Sequence, residues 1–253
     1  MAQNVNQKYM KLSILIPARN EQDSIIETIE SLYYTLLQNG INHEILVIND
    51  HSEDDTENVL KELQKKIPVL IYYNSANPAG FGFALRYGLE RFTGDCVAIV
   101  MADLSDAPED VARFYEKMLE SGYDCVFGSR FIKGSRIIDY PQPKLFINRV
   151  ANLIIRISAG IKYNDTTNAF KLYKKETIEG LKPFLSNHYN ITLELPLKAI
   201  VRGYSYSVLP NSWTNRKHGI SKLKIKEMGS RYFFILLYCL IEKYFSMGDF
   251  KKK

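Results

Sequence analysis

Cysteine is scarce in this chain. The three residues, Cys96, Cys125 and Cys239, are far apart, and they form no CxxC pair. An odd number of widely spaced cysteines argues against a disulfide framework and against a structural zinc site. The pattern is typical of a protein from a reducing compartment.

Several motifs that mark common enzyme classes are also missing. The sequence contains no GxGxxG, no GxxxxGK[ST] and no GxSxG. These absences argue against a Rossmann dinucleotide fingerprint, a P-loop and a hydrolase nucleophile elbow. The four histidines are scattered, without the HExxH spacing of a zinc site, at positions 43, 51, 188 and 218.

Long apolar runs are absent as well. The stretch "YFFILLYCLI" (232–241) has ten residues, whereas a bilayer-spanning helix needs about 20. The first 17 residues, "MAQNVNQKYMKLSILIP", have no long apolar stretch after a basic start. We therefore expect no signal peptide and no spanning helix.

Positive charge is present in modest excess and lies late in the chain. The net charge is +5, and "NRKHGISKLKIKEMGSR" (215–231) carries six lysines and arginines against one glutamate. The apolar stretch 232–241 and a terminal "KKK" follow. The pattern fits a helix that lies in a membrane interface. It equally fits a C-terminal helix packed on the protein's own core, so we treat 224–253 as a separate amphipathic segment.

The first half of the chain alternates between strand and helix patterns. We predict strands at 11–17, 43–50, 69–74, 96–103 and 123–130, with helices at 20–38, 52–66, 82–92 and 107–122. This alternation predicts an α/β domain, a Rossmann-like, doubly wound and mostly parallel sheet with flanking helices. Ligands of such sheets bind in the loops after the carboxyl ends of the strands.

Those loops share a consistent chemistry. Three of them, "PARNE", "INDHSEDDT" and "ADLSDAPED", carry carboxylates, and "GSRFIKGSR" carries arginines and a lysine. Acidic strand ends suit a diphosphate held through a divalent cation, Mg²⁺ or Mn²⁺. Either ion takes oxygen ligands from one or two carboxylates and from substrate phosphates.

Seven motifs in order resemble the family 2 glycosyltransferases of GT-A fold, in the branch of dolichyl-phosphate mannose synthases and other polyprenyl-phosphate hexosyltransferases. They are "LSILIPARNEQDSI", "EILVINDHSEDDT", "NPAGFGFALRYGL", "VMADLSDAPED", "FGSRFIKGSRIIDYP", "DTTNAFKLYKK" and "TNRKHGISK", and they cover roughly residues 11–223. The resemblance implies a GT-A domain over 1–223. It implies an inverting, metal-dependent enzyme that moves a hexose from a nucleotide sugar to a polyprenyl phosphate. We expect a peripheral protein on the cytoplasmic face of a membrane, with no nucleic-acid partner.

The same resemblance implies a set of donor-binding residues. They are Pro17, Ala18, Arg19, Glu21, Asp50, Gly80, Ala102, Asp103, Arg216 and Lys222. Other interpretations stay open from the residues alone. Glu21 also suits the positive N-terminus of the helix that follows it. Ser52 and Asp54 are both candidate caps of the next helix, and we predict that Ser52 is a cap.

The metal position departs from the family pattern. Met101 stands where relatives carry a first carboxylate, and Asp103 stands at the second. A thioether is a poor ligand for a hard cation, so Asp103 is the predicted metal ligand, with Ser105 reaching the ion directly or through water. Asp106 either compensates for Met101 or caps the helix that begins near Pro108.

The resemblance also implies an acceptor-phosphate site at Arg130, Lys133 and Lys144, and arginine suits bidentate binding of phosphate. A solvated basic loop is the alternative. In "DTTNAFKLYKK", Asp165 is predicted to order the turn, and Lys171 replaces the arginine that is usual in relatives.

The resemblance implies that the catalytic residues are Asp103, Arg130 and Glu194. Glu194 is either a general base for a hydroxyl acceptor or a residue that positions the acceptor loop. Two other functions stay open, transfer to a glycan or lipid hydroxyl and a nucleotide-sugar-binding protein that lost catalysis when Met101 replaced a carboxylate.

Overall fold

The computed structural model describes residues 10–216 and 225–252, and its first half has the predicted alternation of strands and helices. The elements are β1 (Leu12–Ala18), α1 (Ile25–Gln38), β2 (His43–Asn49), α2 (Thr56–Lys66), β3 (Leu70–Asn74), α3 (Phe81–Leu89), β4 (Cys96–Ile99), α4 (Pro108–Ser121) and β5 (Cys125–Ser129). The predicted strand 96–103 ends earlier, at Ile99. Beyond that point the backbone N–H of Met101 donates to the Asp106 carboxylate at 3.1 Å instead of to a neighbouring strand.

The second half adds three structural groups to this frame. The elements are β6 (Arg136–Ile138), α5 (Gln142–Ala159), β7 (Lys171–Lys174), α6 (Lys175–Gly180), α7 (Ile191–Val201), β8 (Tyr206–Pro210), β9 (Ser212–Thr214) and α8 (Ile225–Phe245). β7 and β8 join the main sheet, β6 and β9 pair as a separate two-stranded parallel sheet, and α5, α7 and α8 pack together.

The main sheet has the order β3-β2-β1-β4-β7-β5-β8. All its pairings are parallel except those of β7, which runs antiparallel to β4 and to β5. The predicted doubly wound, mostly parallel sheet is therefore confirmed. Because β7 is reversed, its first residue, Lys171, pairs with Ile99 and Phe127 near the carboxyl ends of β4 and β5.

Two apolar layers cover the two faces of this sheet. Every residue of β1 and β2 is buried, as expected for parallel strands that have helices on both sides. One layer includes Ile25 and Ile29 of α1, Leu60 of α2 and Phe114 of α4. The other is built by α3, α6 and α7 and includes Leu85, Ile178 and Leu195.

α8 packs against α5 and α7. Its Ile235, Leu236 and Cys239 are buried in a third apolar cluster with residues of α5 and α7. Arg202 and Glu242 form a buried, two-point ion pair beside this cluster, at 2.7 and 2.8 Å. The prediction that this helix packs on the core is therefore confirmed for one of its faces. Among the described residues, no helix has the length and apolar character that crossing a membrane requires.

Candidate active site

Two neighbouring cavities open at the carboxyl edge of the main sheet. Cavity A has a volume of about 300 Å³ and lies beyond β1, β2 and β4. Cavity B has a volume of about 600 Å³ and lies between the 101–106 loop, β9 and the helices α5 and α8. Met101, Tyr189 and Arg216 line both cavities. The two spaces therefore meet at these three side chains.

Cavity A collects most of the predicted donor-binding residues. Its lining includes Pro17, Ala18, Arg19, Glu21, Asp50, Gly80, Ala102 and Arg216. Asp103 lines cavity B instead, and Lys222 lies outside the described residues. The wall also contains Phe81, His188 and Tyr189, to which the sequence analysis assigned no role. His188 and Tyr189 carry no local signal, because the 185–190 loop reaches cavity A only through the fold.

Backbone contacts shape cavity A. The Gly80 N–H donates to Asp50 Oδ2 at 2.9 Å, and this bond ties the entry of α3 to the end of β2. A Cβ atom at Gly80 would lie 2.7 Å from the carbonyl oxygen of Asn187, and one at Gly82 would lie 2.5 Å from the Asn187 carbonyl carbon. Only glycine permits this close approach of α3 to the 185–190 loop.

The predicted cap at Ser52 is wrong. α2 begins at Thr56, and the Ser52 hydroxyl instead accepts a bond from the Asn20 N–H at 2.9 Å. Asp54 does accept from the Thr56 N–H, at 3.1 Å, and it also accepts from the Gln22 N–H. Both side chains therefore fasten the loop after β1 to the loop after β2, two loops that border cavity A.

Asp103 and Arg216 meet at the junction of the two cavities. Arg216 Nη2 donates to Asp103 Oδ2 at 2.6 Å, and Nη1 lies 3.6 Å from Glu21 Oε1. Asp103 Oδ1 accepts from the Ser105 N–H at 3.2 Å. Arg216 follows β9, so the fold brings together residues more than a hundred positions apart in the chain.

Asp106 lies on the cavity B side of the same loop. It does not cap α4, which begins after Ala107 without a side-chain cap, and it accepts from the Met101 N–H instead. The pKa of Asp106 is raised to about 7, mainly by burial; the Met101 N–H lowers it and the negative charge of Asp103 adds to the rise. The cap alternative is therefore wrong, while compensation for Met101 remains a prediction.

The residues at this junction fit a cation that takes most of its ligands from a substrate. Within residues 10–216 and 225–252 there is no group of three or more His, Cys, Asp or Glu side chains arranged to hold a metal. Asp103 and Ser105 supply oxygen donors, and both line cavity B beside Asp106. Mg²⁺ is commonly bound in this way, by one or two carboxylates together with substrate phosphates.

Arg130 is held rigidly in the wall of cavity B. Its Nε and Nη2 donate to the two carboxylate oxygens of Asp165 at 2.8 and 2.7 Å, and its N–H donates to the same carboxylate. Burial lowers the pKa of Arg130, but the Asp165 carboxylate outweighs this and raises it above its ordinary value. Asp165 itself is fully buried. The predicted ordering role of Asp165 thus includes orienting a guanidinium.

Of the two predicted lysines, one reaches cavity B. Lys144 of α5 lines it, and burial lowers the pKa of Lys144, with the positive charges of Arg216 and Arg130 lowering it further. Lys133 is exposed and lines neither cavity. The Ser135 hydroxyl bonds back to the Ser129 carbonyl at 2.6 Å, which turns the loop between them outward.

Glu194 is fully buried in α7 and lines neither cavity. Its carboxylate accepts from the N–H groups of Leu185 and Ser186 at 2.8 and 2.7 Å and from Lys198 Nζ at 2.6 Å. The structure therefore does not place it as a base. It favours the alternative in which Glu194 positions a loop, here the 185–190 loop that carries Tyr189.

An aromatic pair in cavity B was not predicted from the sequence. The rings of Tyr140 and Trp213 lie 4.5 Å apart, and both line the cavity. β6 and β9 bring them together, and the Asn215 N–H extends the pairing by donating to the Ile138 carbonyl at 3.0 Å. Strands of three residues carry too little pattern to be recognised in a sequence.

Comparisons with known proteins agree with this architecture. The family model described as "Glycosyl transferase family 2" matches residues 13–181. A dolichol-phosphate mannosyltransferase of Pyrococcus furiosus is 31% identical over 225 residues, 86% of this chain and 60% of the relative. A polyprenol monophosphomannose synthase of Mycolicibacterium smegmatis is 29% identical over 218 residues, 83% of this chain and 80% of the relative. This chain thus spans less than two thirds of the archaeal relative.

Solved structures share the fold at low identity. Glucosyl-3-phosphoglycerate synthase of Mycobacterium tuberculosis, in complex with Mn²⁺, UDP-glucose and phosphoglyceric acid, aligns with a TM-score of 0.70 and 18% identity, covering 94% of this chain and 83% of that one. The same enzyme with Mg²⁺ and UDP has a TM-score of 0.68. The predicted GT-A fold is therefore confirmed. Together with the family match over residues 13–181, it establishes that the chain belongs to glycosyltransferase family 2.

Proposed function

We propose that this protein transfers a hexose from a nucleotide sugar to a polyprenyl phosphate, with inversion at the anomeric carbon. The observation that carries the proposal is the junction of the two cavities. There Asp103 and Arg216 separate cavity A from a larger, mainly apolar cavity that also contains Arg130 and Lys144. The names of the archaeal and mycobacterial relatives support a polyprenyl phosphate as the acceptor.

The donor binds in cavity A in this proposal. Asp50 and Glu21 supply acceptors for the nucleoside, and the diphosphate extends to the junction, where Arg216 contacts it. Asp103, with Ser105, would hold a divalent cation, which supplies positive charge to the departing diphosphate. Arg216 now pairs with Asp103, so it shifts its hydrogen bond from carboxylate to phosphate when the donor arrives.

The acceptor phosphate binds in cavity B, held by Lys144 and Arg130. A phosphate monoester is ionised at neutral pH, so its oxygen attacks without a general base. This agrees with the burial of Glu194 away from both cavities. Attack from cavity B on a sugar whose leaving group lies toward cavity A is a single displacement, and it inverts the anomeric carbon. Holding both reactants in line contributes much of the rate enhancement.

A panel of GDP- and UDP-hexoses incubated with a polyprenyl phosphate tests the proposal. We expect product with one donor, in the presence of Mg²⁺ or Mn²⁺, and strong inhibition by chelator. Product on a glycan or lipid hydroxyl instead would identify the alternative acceptor. Nucleotide-sugar binding by calorimetry without any transfer would identify the impaired homologue, and either outcome would contradict the proposal.

The protein also docks on a membrane surface in this proposal, peripherally and on the cytoplasmic side. α5 exposes Phe146, Ile154 and Ile157, and α8 exposes Phe234 and Phe245. These two helices pack against each other and also line cavity B. An apolar face on each of two adjacent helices suits insertion into the headgroup boundary, next to the cavity that would receive a lipid.

Serine substitutions on the exposed faces test this docking. Point substitutions are preferable to a truncation after Ser230, because that truncation would remove the buried Ile235 and Leu236. We expect Phe146→Ser with Phe245→Ser to weaken binding to anionic liposomes by at least about tenfold, since burying one phenylalanine contributes about 1.5–3 kcal/mol.

The matched control is Tyr34→Ser with Leu37→Ser, which removes comparably exposed apolar side chains from α1. Sedimentation with liposomes should be unchanged in this control. Binding should also weaken as salt rises, because basic residues add attraction to anionic lipid. Equal losses in both double variants would show that the α5–α8 face is not the docking surface.

A further inference from the structure

Lys171 is a buried cation that the proposed chemistry does not use. It is the first residue of β7 and is only 2% exposed. Its Nζ donates to three backbone carbonyls, those of Thr166 at 3.1 Å, Thr192 at 3.2 Å, and Asn168. An ammonium has three donors, so these carbonyls occupy its full hydrogen-bonding capacity.

The three carbonyls come from two separate parts of cavity B. Thr166 and Asn168 belong to the turn before β7, and Thr192 belongs to the first turn of α7. Asn168 and Thr192 line cavity B directly, as does Thr167 between the two turn residues. Lys171 therefore connects two segments of the cavity B wall from the buried side, without lining the cavity itself.

The same turn begins with Asp165, which holds Arg130. The Asp165 carboxylate makes the two-point contact with the Arg130 guanidinium, and the Asn168 N–H donates to the Asp165 carbonyl at 3.1 Å. A shift of the 165–168 turn would consequently move both the wall of the cavity and the arginine in it. Lys171 is the cation that holds this turn against α7.

We infer that Lys171 is a positioning residue for the acceptor subsite of cavity B, which it builds by tying the 165–168 turn to α7. This inference rests on the proposed function, because it assigns Lys171 to the binding of an isoprenyl phosphate. Thr166, Asn168 and Thr192 do not line cavity A, so we expect nucleotide binding to be insensitive to their positions.

Calorimetric titrations of Lys171→Met with a short-chain isoprenyl phosphate and with GDP and UDP test the inference. We expect the dissociation constant of the isoprenyl phosphate to rise at least tenfold and that of the bound nucleotide to change less than twofold. Lys171→Arg, which restores a cation, should stay within threefold of the wild type for both ligands. Lys174→Met is the matched control, since Lys174 also donates to a carbonyl, that of Gly122, but from the other end of β7.

A second measurement needs only the wild type and Lys171→Arg. The pKa of Lys171 is lowered to about 7, mainly by burial; Arg130 also lowers it, and the carboxylates of Asp165 and Asp106 oppose the shift. The Tyr163 ring lies 5.9 Å from Nζ. The ammonium is thus charged below pH 7 and loses its charge as pH rises through 7. We expect isoprenyl-phosphate affinity to fall between pH 6 and 8 (roughly one unit either side of that pKa) more steeply in the wild type than in Lys171→Arg.

The possible failures are distinguishable. Equal weakening of both ligands in Lys171→Met, or superimposable pH profiles of the wild type and Lys171→Arg, would overturn the positioning role alone. A wild type that binds nucleotide but no isoprenyl phosphate would overturn the proposed acceptor, and this inference with it.

Discussion

Asp103→Ala is expected to lower the rate of sugar transfer by at least about a hundredfold, the size of effect seen when one group that stabilises developing charge is removed. The Asp103 carboxylate lies at the junction of the cavities, where it accepts from Arg216 at 2.6 Å. Its loss would remove the proposed cation ligand and one of the two carboxylates beside Arg216. Initial rates at saturating donor and acceptor, with Mn²⁺ or Mg²⁺ added, measure the effect.

Glu109→Ala is the matched control, because Glu109 is an exposed carboxylate only six positions away, in the first turn of α4. It should retain full activity. If Asp103→Ala remained fully active in the presence of chelator, Asp103 would not be a metal ligand.

Met101→Asp is expected to keep or raise metal affinity, since it restores a hard oxygen ligand at the position of a thioether.

Arg130→Met should both weaken binding of the acceptor and destabilise the fold. Its partner Asp165 is fully buried, and a buried charge left without its partner costs about 3–5 kcal/mol of the free energy of unfolding. Removing the guanidinium from cavity B also removes a proposed phosphate ligand. We expect the acceptor KM to rise about tenfold or more, while the donor dissociation constant measured by calorimetry changes little.

The double variant Arg130→Met with Asp165→Leu separates these two effects. Replacing a buried pair by apolar residues is often neutral for stability, so urea unfolding should return close to that of the wild type. The acceptor KM of the double variant should remain as high as that of Arg130→Met. Arg149→Met serves as a control for an exposed arginine on α5. Equal loss of donor and acceptor binding in the single variant would assign Arg130 to the donor site or to folding.

The sequence alone was enough to predict the strand and helix order through residue 130 and the edge of the sheet where the ligand loops meet. The physical reason is local. Buried parallel strands are continuous apolar runs, and the helices between them are amphipathic. Since parallel strands end at the same edge, the loops that carry Glu21, Asp50 and Ala102 had to lie together, and all three line cavity A.

Charged residues of the second half could not be placed in this way. The sequence does not show whether a charged residue such as Glu194 or Lys133 lies in the site, in the core or on the surface. Glu194 is fully buried and accepts hydrogen bonds from two backbone N–H groups and from Lys198. Lys133, in contrast, is exposed in a turn. Their positions depend on partners that are distant in the chain or belong to a loop without a periodic pattern.

The terminal helix shows the same division. The apolar run 232–241 determined that a helix would bury some of its surface, but a run apolar on every side does not say which face. Packing against α5 and α7 selected Ile235, Leu236 and Cys239 for the core and left Phe233, Phe234 and Leu237 exposed. Composition and periodicity therefore determined the elements and the carboxyl-edge loops. Only tertiary contacts, which join residues such as Asp103 and Arg216 across more than a hundred positions, decided which charges meet and which apolar faces stay open.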